Sequence, residues 1–397
     1  MTEQQLAERL KPVFEHLHHH PEISWEEKET TGYLADFLKK EGLKPKTFDH
    51  MTGLYVDIGP GEPKVGFRTD IDALWQEVDG QWRANHSCGH DAHMTVALGV
   101  VLLLKEMEAH LPGAVRILFQ PAEEKGEGAK AFVKAGVVDN LEYLFGAHIR
   151  PHFELKDGTF AAAIRHGAVK LFKGNIHGTE AHGARPEQGV NAIEAAAAIV
   201  DGLKRIWIDP NRTGSIKMTQ LHAGGQSSNI IPATATFSID ARAQDNETME
   251  ALTTGFKKVV ESVETLYGAD IDWETAAYVA AAEVDSSARE ILKRAIIDVA
   301  GEENFAEDIV TPGGEDFHFY ALSRPRLKTT MLGIGCGATP GLHHPHMTFN
   351  WERVPTAARI IARALVLAAK AVRQLRVVAG NDAQGRAVTG DGRGDGR

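Results

Sequence analysis

The chain has 397 residues and a formal net charge of −11 at pH 7; 43% of its residues are hydrophobic and 24% are charged. The length suggests two domains or one large domain with an insertion, and the composition is typical of a soluble globular protein. The negative charge argues against a nucleic-acid partner. No apolar segment has membrane-spanning length, and the polar N-terminus lacks a signal-peptide pattern. The two cysteines make no disulfide framework. We therefore expect a cytoplasmic protein without a membrane partner.

Helices and short strands alternate along residues 1–165. Apolar residues at helical spacing predict helices over 3–19, from about Trp25 to Lys40 with Ser24 as the cap, and over Ala92–Met107. Short β-branched segments predict strands at Gly53–Ile58, Lys64–Phe67, Ala114–Phe119 and Leu141–Phe145. This alternation predicts an α/β fold whose sheet is mostly parallel and doubly wound, with helices on both faces.

Residues 166–277 have a different pattern, with longer alternating strands and two helices. The predicted elements are Ala168–Ile176, Asn191–Ile206, Ser215–Leu221, Ala233–Ala241, Glu247–Tyr267 and Ile271–Val279. Their order, β-α-β-β-α-β, is that of a ferredoxin-like unit. We therefore predict a domain at 166–277 inserted into a discontinuous domain of residues 1–165 and 278–378. Residues 379–397, rich in Gly, Asp and Arg, are predicted to be a disordered tail.

A thiol, several imidazoles and a carboxylate occur together in the segment Asn85–His93. Cys88 and His90 are two residues apart, so both can face one point, and Gly89 between them permits positive φ. Thiolate and imidazole are the ligands that Zn²⁺ prefers. Alone, this short motif also fits a buried cysteine beside surface histidines.

A pair of carboxylates, Glu123 and Glu124, follows the third predicted strand. Neighbouring side chains on an extended segment point in opposite directions, so one can bind a metal ion while the other accepts a proton. The pair fits equally well as an acidic cap on a helix that starts near Gly128.

Other polar residues also follow predicted strands, which places them at the carboxyl edge of the sheet where doubly wound folds bind ligands. Asp70 and His148 occupy such positions, and His343 lies in a loop. One thiolate, three imidazoles and a carboxylate are too many ligands for one tetrahedral zinc ion. They suit two divalent ions that share a ligand, ~3.5–4 Å apart. Zinc or manganese is expected, with cobalt and nickel also open.

Nine short motifs occur in order along nearly the whole chain. They are His16-Leu17-His18 with Pro21-Glu22, Arg68–Leu74, Cys88–His93, Pro121–Glu124, Gly146–His148, His182–Pro186, Asn229–Pro232, Gly314–Phe317 and Leu342–Pro345. In these motifs the chain resembles the dinuclear metallo-amidohydrolases of the aminoacylase, hippurate hydrolase and auxin-conjugate hydrolase family, which are relatives of zinc carboxypeptidases. The resemblance implies hydrolysis of a small N-acyl amino acid, or a related amide, to a carboxylate and a free amine by a metal-activated water.

The resemblance also implies that residues 1–165 and 278–378 form a metal-dependent catalytic domain, and it implies a role for each candidate residue there. Cys88 would bridge the two ions, and the remaining ligands would be His90, Glu124, His148 and His343. Glu123 would be the general base, taking a proton from the attacking water and returning it to the leaving amine.

In the same way, residues 166–277 resemble the family's lid and dimerisation domain, which implies a homodimer. His182 would stabilise the oxyanion in the partner's site, Asn229 would hold the substrate carbonyl, and Arg242 the substrate carboxylate. His177 competes with His182 for this role, and a plain surface charge remains an alternative for Arg242.

Two residues depart from the family pattern. Arg68 stands where distant relatives place a metal-binding histidine, so Asp70 is expected to orient Cys88 or His90 from behind. Trp75 replaces the usual proline, and its ring either lines the acyl pocket or packs on the core. The acyl group and the amino acid are left open.

Two alternatives remain: a catalytically silent amide-binding protein on the same fold, and a dipeptidase or carboxypeptidase. A zinc deaminase is not supported, because no Pro-Cys-x-x-Cys segment follows the histidine-bearing segment, and a His-Glu-x-x-His motif is absent.

Overall fold

The structure, a computed structural model, describes the backbone of residues 1–388 and the side chains as far as residue 374. The chain divides into two compact units. The first contains Met1–Ile164, Glu283–Ile309 and the described residues from Tyr320 onward, and the second contains Arg165–Ala282 and Val310–Phe319.

The helices of the described chain include the five predicted above, at similar positions. They are α1 Glu3–His19, α2 Lys28–Lys40, α3 His90–Glu106, α4 Gly128–Lys134, α5 Ala192–Leu203, α6 Asn246–Tyr267, α7 Ser286–Ala300, α8 His318–Ser323 and α9 Arg353–Val388. Helix α1 buries the stripe of Leu6, Leu10, Val13 and Leu17, as the 3.6-residue spacing of its apolar residues predicts.

The strands are more numerous than predicted. They are β1 Lys46–Thr47, β2 Leu54–Ile58, β3 Val65–Asp70, β4 Leu74–Val78, β5 Gln81–Asn85, β6 Val115–Gln120, β7 Tyr143–Pro151, β8 Phe160–Ala161, β9 Ile164–His166, β10 Ala168–His177, β11 Ala181–His182, β12 Gly214–Ala223, β13 Ile230–Ile231, β14 Thr234–Ala243, β15 Asp270–Val279, β16 Phe305–Ala306, β17 Ile309–Thr311 and β18 Lys328–Ala338.

The first unit is built on an eight-stranded sheet in the order β1-β2-β6-β3-β7-β18-β8-β16. Its four central strands, β6, β3, β7 and β18, are parallel to one another, and antiparallel pairs occur toward the edges. All residues of β3 and β7 are buried, as expected for parallel strands covered on both faces. The prediction of an α/β fold with a mostly parallel sheet is confirmed.

Strand β7 extends beyond its predicted range of Leu141–Phe145 as far as Pro151. His148 therefore lies within the strand, paired with Gly333 of β18, rather than after the strand's end. The polar residues Arg150 and His148 hid this continuation in the sequence, because a strand in the middle of a sheet is expected to be apolar throughout.

The predicted cap of α2 is wrong. Helix α2 starts at Lys28, after Glu27, and the Ser24 hydroxyl donates a hydrogen bond to Asp72 Oδ2 at 2.6 Å. A hydrogen bond to a buried carboxylate is stronger than one to a helix N–H, so the hydroxyl binds Asp72 instead of capping the helix.

The second unit contains a four-stranded antiparallel sheet in the order β12-β14-β10-β15. Helices α5 and α6 pack on it, and the core includes Phe172, Phe237 and Phe256. The chain order is β10-α5-β12-β14-α6-β15, and a short ladder pairs β11 with β13. Helix α6 starts after Asp245, whose side chain accepts the Thr248 N–H at 2.7 Å.

Helix α9 continues to Val388 and so includes the first part of the predicted tail at 379–397; residues 389–397 lie outside the described residues. Among the helices of the described chain, none has both the length and the apolar character that crossing a membrane requires.

Candidate metal centre

Five predicted ligands come together in the first unit around the sulfur of Cys88. The Cys88 Sγ lies 3.6 Å from His148 Nε2 and 3.3 Å from His343 Nε2. Glu124 Oε1 lies 3.7 Å from His343 Nε2 and 3.8 Å from His90 Nε2. Residues separated by more than 250 positions along the chain therefore share one cluster.

The five predicted ligands fall into two overlapping groups of ligand atoms, and two of them, His90 and Glu124, also form a further group with Glu123. The ligand atoms of Cys88, His90 and His148 lie within 4.8 Å of one another, and the same holds for Cys88, Glu124 and His343. Only Cys88 belongs to both groups. This is the arrangement that two ions with one shared ligand require.

Local backbone geometry presents these side chains. Gly89, between Cys88 and the first residue of α3, His90, has φ +86°, which strains any residue with a Cβ, and a Cβ there would also lie 2.3 Å from Ile149 Cδ1. On the other side, Ala122 has φ +51°, and its N–H donates to Glu27 Oε1 at 2.9 Å. That bond helps to hold the turn from β6 to the Glu123-Glu124 pair.

Two buried atoms point to a cation. His90 Nε2 and Glu124 Oε1 are buried and make no hydrogen bond within the described residues. Buried polar atoms nearly always have a partner, and an imidazole nitrogen and a carboxylate oxygen facing one point are donors that a divalent cation takes up. The residues present therefore fit a metal site.

The electrostatics also suit a cation. Burial and the neighbouring Glu124 carboxylate raise the pKa of the Cys88 thiol well above its usual range. Burial likewise raises the pKa of Glu124 to about 7, against an opposing effect of His90. Burial and the nearby His93 and Arg150 hold the pKa of His148 well below its usual range. A bound cation favours the thiolate and the carboxylate, and neutral histidine is the form that binds metals.

Asp72 orients two of the candidate ligands, and the sequence analysis missed it. The His90 Nδ1 lies 2.9 Å from the Asp72 carbonyl and 3.2 Å from Asp72 Oδ1. Asp72 Oδ2 accepts the Glu124 N–H at 3.0 Å. The sequence indicates this role of Asp72 only through the Asp70-Ile71-Asp72 spacing. Alternate residues of an extended segment point the same way, so Asp72 is expected to face the same side as Asp70.

Asp70 is buried near the candidate ligands, and its side chain is hydrogen-bonded to His93 and Arg68 rather than to the predicted Cys88 or His90. Its Oδ1 is 2.8 Å from His93 Nδ1 and 3.9 Å from His90 Nδ1, and Arg68 binds its Oδ2 at 2.9 Å. His93 Nε2 accepts the Ile149 N–H at 3.0 Å. Asp70 therefore supports the strand that carries His148.

Glu123 lies beside the same cluster. Its Oε2 is 3.9 Å from His90 Nε2, and its side chain is only 10% exposed. The ligand atoms of His90, Glu123 and Glu124 also lie within 4.8 Å of one another. The two adjacent carboxylates therefore approach the same imidazole rather than facing opposite sides of the chain.

The remaining predicted residues lie exposed in the second unit. His182 is in β11, and its neighbour Gly183 donates its N–H to the Asn229 carbonyl at 2.7 Å. Arg242, in β14, binds Asp240 at 2.9 Å. His177, the competitor of His182, binds Asp272 at 2.7 Å.

Trp75 belongs to the first unit and lies on β4 of the unpredicted β4–β5 hairpin. Its side chain is 57% exposed, so the alternative that its ring packs on the core is wrong.

The comparison with family models matches residues 66–367 to "Peptidase family M20/M25/M40". The chain is 29% identical over 393 residues to an N-acetylcysteine deacetylase of Bacillus subtilis (strain 168), covering 94% of this chain and 100% of that protein. It is 31% identical over 368 residues to the IAA-amino acid hydrolase ILR1-like 4 of Arabidopsis thaliana, with 87% and 82% covered.

Among solved structures, the fold is similar to that of a dinuclear metal-binding peptidase of the M20 family from Bacillus subtilis. The TM-score is 0.77 at 27% identity, and the match covers 92% of this chain and 99% of that one. The chain therefore belongs to peptidase family M20/M25/M40 and is a hydrolase that acts on amide bonds.

Proposed function

We propose that this hydrolase cleaves N-acyl amino acids, or closely related amides, with the help of two divalent cations. The observation that carries the proposal is the position of Cys88 in both groups of ligand atoms. In this assignment Cys88 would be the ligand shared by the two ions, His90 and His148 would hold one ion with it, and Glu124 and His343 would hold the other. The names of two relatives describe amides of amino acids, which supports the substrate class.

Two divalent ions, when bound, lower the pKa of a water molecule and polarise the amide carbonyl. The protein supplies the proton transfer. Glu123 takes a proton from the attacking water onto a carboxylate oxygen and then delivers it to the nitrogen of the leaving amine. The Glu123 Oε2 lies 3.9 Å from His90 Nε2, so this carboxylate is beside the candidate ligands.

We further propose that residues 166–277 form a ferredoxin-like lid and dimerisation domain between the catalytic segments 1–165 and 278–378. The β10-α5-β12-β14-α6-β15 order and the antiparallel sheet support this proposal. His182 of the partner subunit would donate a hydrogen bond to the developing oxyanion, Asn229 would bind the substrate carbonyl, and Arg242 the substrate carboxylate. His177 already binds Asp272, which favours His182 for this role.

Thiolate and imidazole ligands favour zinc, whereas availability and geometry leave manganese, cobalt and nickel as candidates. We propose a cytoplasmic location because a reducing compartment keeps the Cys88 thiol available to a metal ion. Both cysteines are free in the structure.

The test is an amide-turnover panel. Metal-depleted protein is reloaded with zinc, manganese, cobalt or nickel and offered N-acetyl, N-benzoyl, aminobenzoyl and indole-acyl amino acids together with dipeptides, and released amine is measured. Turnover of dipeptides alone would favour the peptidase alternative.

The matched variants are Glu123→Gln and Glu77→Gln. Removing the general base is expected to lower kcat by about 10²–10⁴-fold with both ions retained. Glu77 lies on the exposed face of β4, so its variant should behave like the wild type. Wild-type turnover by Glu123→Gln would disprove the general-base role.

A further inference from the structure

The β4–β5 hairpin ends just before Cys88 and has two chemically different faces. Trp75 pairs with Ala84 and Glu77 with Trp82, so both tryptophans lie on one face, where they are exposed. Because side chains alternate along a strand, Gln76 and Asn85 lie on the opposite face. Their amides are half-buried.

These two amides bind the loop that carries His343. The Gln76 Nε2 donates to the His343 carbonyl at 3.0 Å. The Asn85 Nδ2 donates to Gln76 Oε1 at 2.8 Å and to the Pro345 carbonyl at 2.9 Å. Asn85 therefore orients the Gln76 amide and also binds the loop directly.

His343 needs such support. Its φ of +67° is unfavourable for a residue with a Cβ, and its side chain is 56% exposed, so packing restrains it little. Its N–H donates to the Ser87 carbonyl at 2.8 Å, next to Cys88. The backbone of His343 is therefore held by hydrogen bonds at both its N–H and its carbonyl. In this position its Nε2 lies 3.3 Å from Cys88 Sγ.

We propose that the side-chain amides of Gln76 and Asn85, here called the amide bracket, are positioning residues that hold His343 in place as a metal ligand. The inference rests on the proposed role of His343 in binding a cation. The two amides bind each other and the backbone of the loop, and neither is a candidate ligand of the ion. It holds a strained loop residue at the distance from Cys88 that a shared site requires, without adding charge near the cation.

The experiment titrates metal-depleted protein with Co²⁺ against a competing chelator and records the thiolate-to-cobalt absorption band. The variants are Gln76→Leu, Asn85→Ala and His343→Ala. The matched control is Gln81→Leu, the same change at an exposed position of the same hairpin. Thermal unfolding of the metal-free proteins reports whether each variant folds.

We expect Gln76→Leu and Asn85→Ala each to weaken one of the two cobalt sites by about 10–100-fold and to spare the other. His343→Ala should weaken the same site, and adding Gln76→Leu to it should have no further effect. The control should bind as the wild type does, and all metal-free variants should unfold near the wild-type temperature.

The bracket would be disproved if Gln76→Leu and Asn85→Ala bound both ions with wild-type affinity while His343→Ala lost one. It would equally be disproved if Gln76→Leu weakened cobalt binding as much in the His343→Ala background as in the wild type. The same holds if the weaker binding occurred only together with a lowered unfolding temperature. Two wild-type sites in His343→Ala would instead remove the metal role of His343 itself, and the bracket with it.

Discussion

The candidate residues of the two units differ in how firmly the fold holds them. In the first unit, Cys88, His90 and His148 are buried, and neighbouring groups such as Asp72 orient the ligands. In the second unit, His182 and Arg242 are exposed, and Arg242 is bound by Asp240 of its own strand. The five candidate metal ligands thus lie within one unit, whereas the proposed substrate contacts are exposed side chains of the other unit.

Because of this contrast, we expect substitutions in the two units to affect metal binding differently. Changes in the first unit should alter metal binding and, through it, catalysis. Changes at the second unit's surface should alter catalysis and leave metal binding intact, because all five candidate ligands belong to the first unit.

The largest effect is expected from Cys88→Ala. Removing the ligand shared by both groups should reduce the metal content below two ions per chain and lower kcat by at least ~10³-fold, since metal ions supply several kcal/mol of transition-state stabilisation. Elemental analysis of the purified variant measures the first quantity. Cys336→Ala, at a buried cysteine outside the cluster, is the control. Two retained ions in Cys88→Ala would contradict the bridging assignment.

His182→Ala should follow, with kcat lowered by about 10²–10³-fold, the usual effect of losing one oxyanion donor, and with metal content unchanged. His177→Ala serves as the comparison, because His177 is engaged with Asp272. If His177→Ala lost activity and His182→Ala did not, the assignment of the two histidines would be reversed.

The pH dependence of the metal-free protein should come next in size. Burial raises the folded-state pKa of Glu124 from about 4.5 to about 7, so the folded state binds more protons than the unfolded state between these values. Stability from this group is therefore present below pH 4.5 and is lost as the pH rises through about 7, by an amount on the order of 3 kcal/mol.

Chemical unfolding of metal-free wild type and Glu124→Gln at pH 5 and pH 8 measures this difference. The wild type should lose more stability than the variant on going to pH 8. Saturating metal should reverse the trend, because a cation favours the ionised carboxylate. Parallel pH profiles for the two proteins would show that Glu124 is not the group responsible.

Asp72→Asn should give the smallest of these effects, about a 10–100-fold loss of metal affinity, as expected for a residue that orients ligands without binding the ion. The variant is isosteric, and Asp49→Asn at an exposed position is a control for charge. An unchanged cobalt affinity in Asp72→Asn would show that the hydrogen bonds to His90 and Glu124 do not position them.

Some local features were predictable because they depend on neighbouring residues. The amphipathic spacing of 3–19 predicts α1, and the alternating pattern of 166–277 predicts the element order of the second unit. The prediction of Ser24 as the cap of α2 was wrong because the Ser24 hydroxyl binds a residue that is not its neighbour in the sequence. The carboxylate that binds its hydroxyl, that of Asp72, is distant in sequence, so no local pattern could identify it.

The sequence by itself determined the chemistry of this protein: a thiol, imidazoles and paired carboxylates in a recognisable order, on an α/β chain. Only the tertiary structure decided which of them meet and what holds them. His343 approaches Cys88 across 255 positions, and Gln76 binds the His343 carbonyl across 267. Such contacts follow from the order of strands in the sheet and from the path of loops between them, and side-chain spacing along the chain does not encode either.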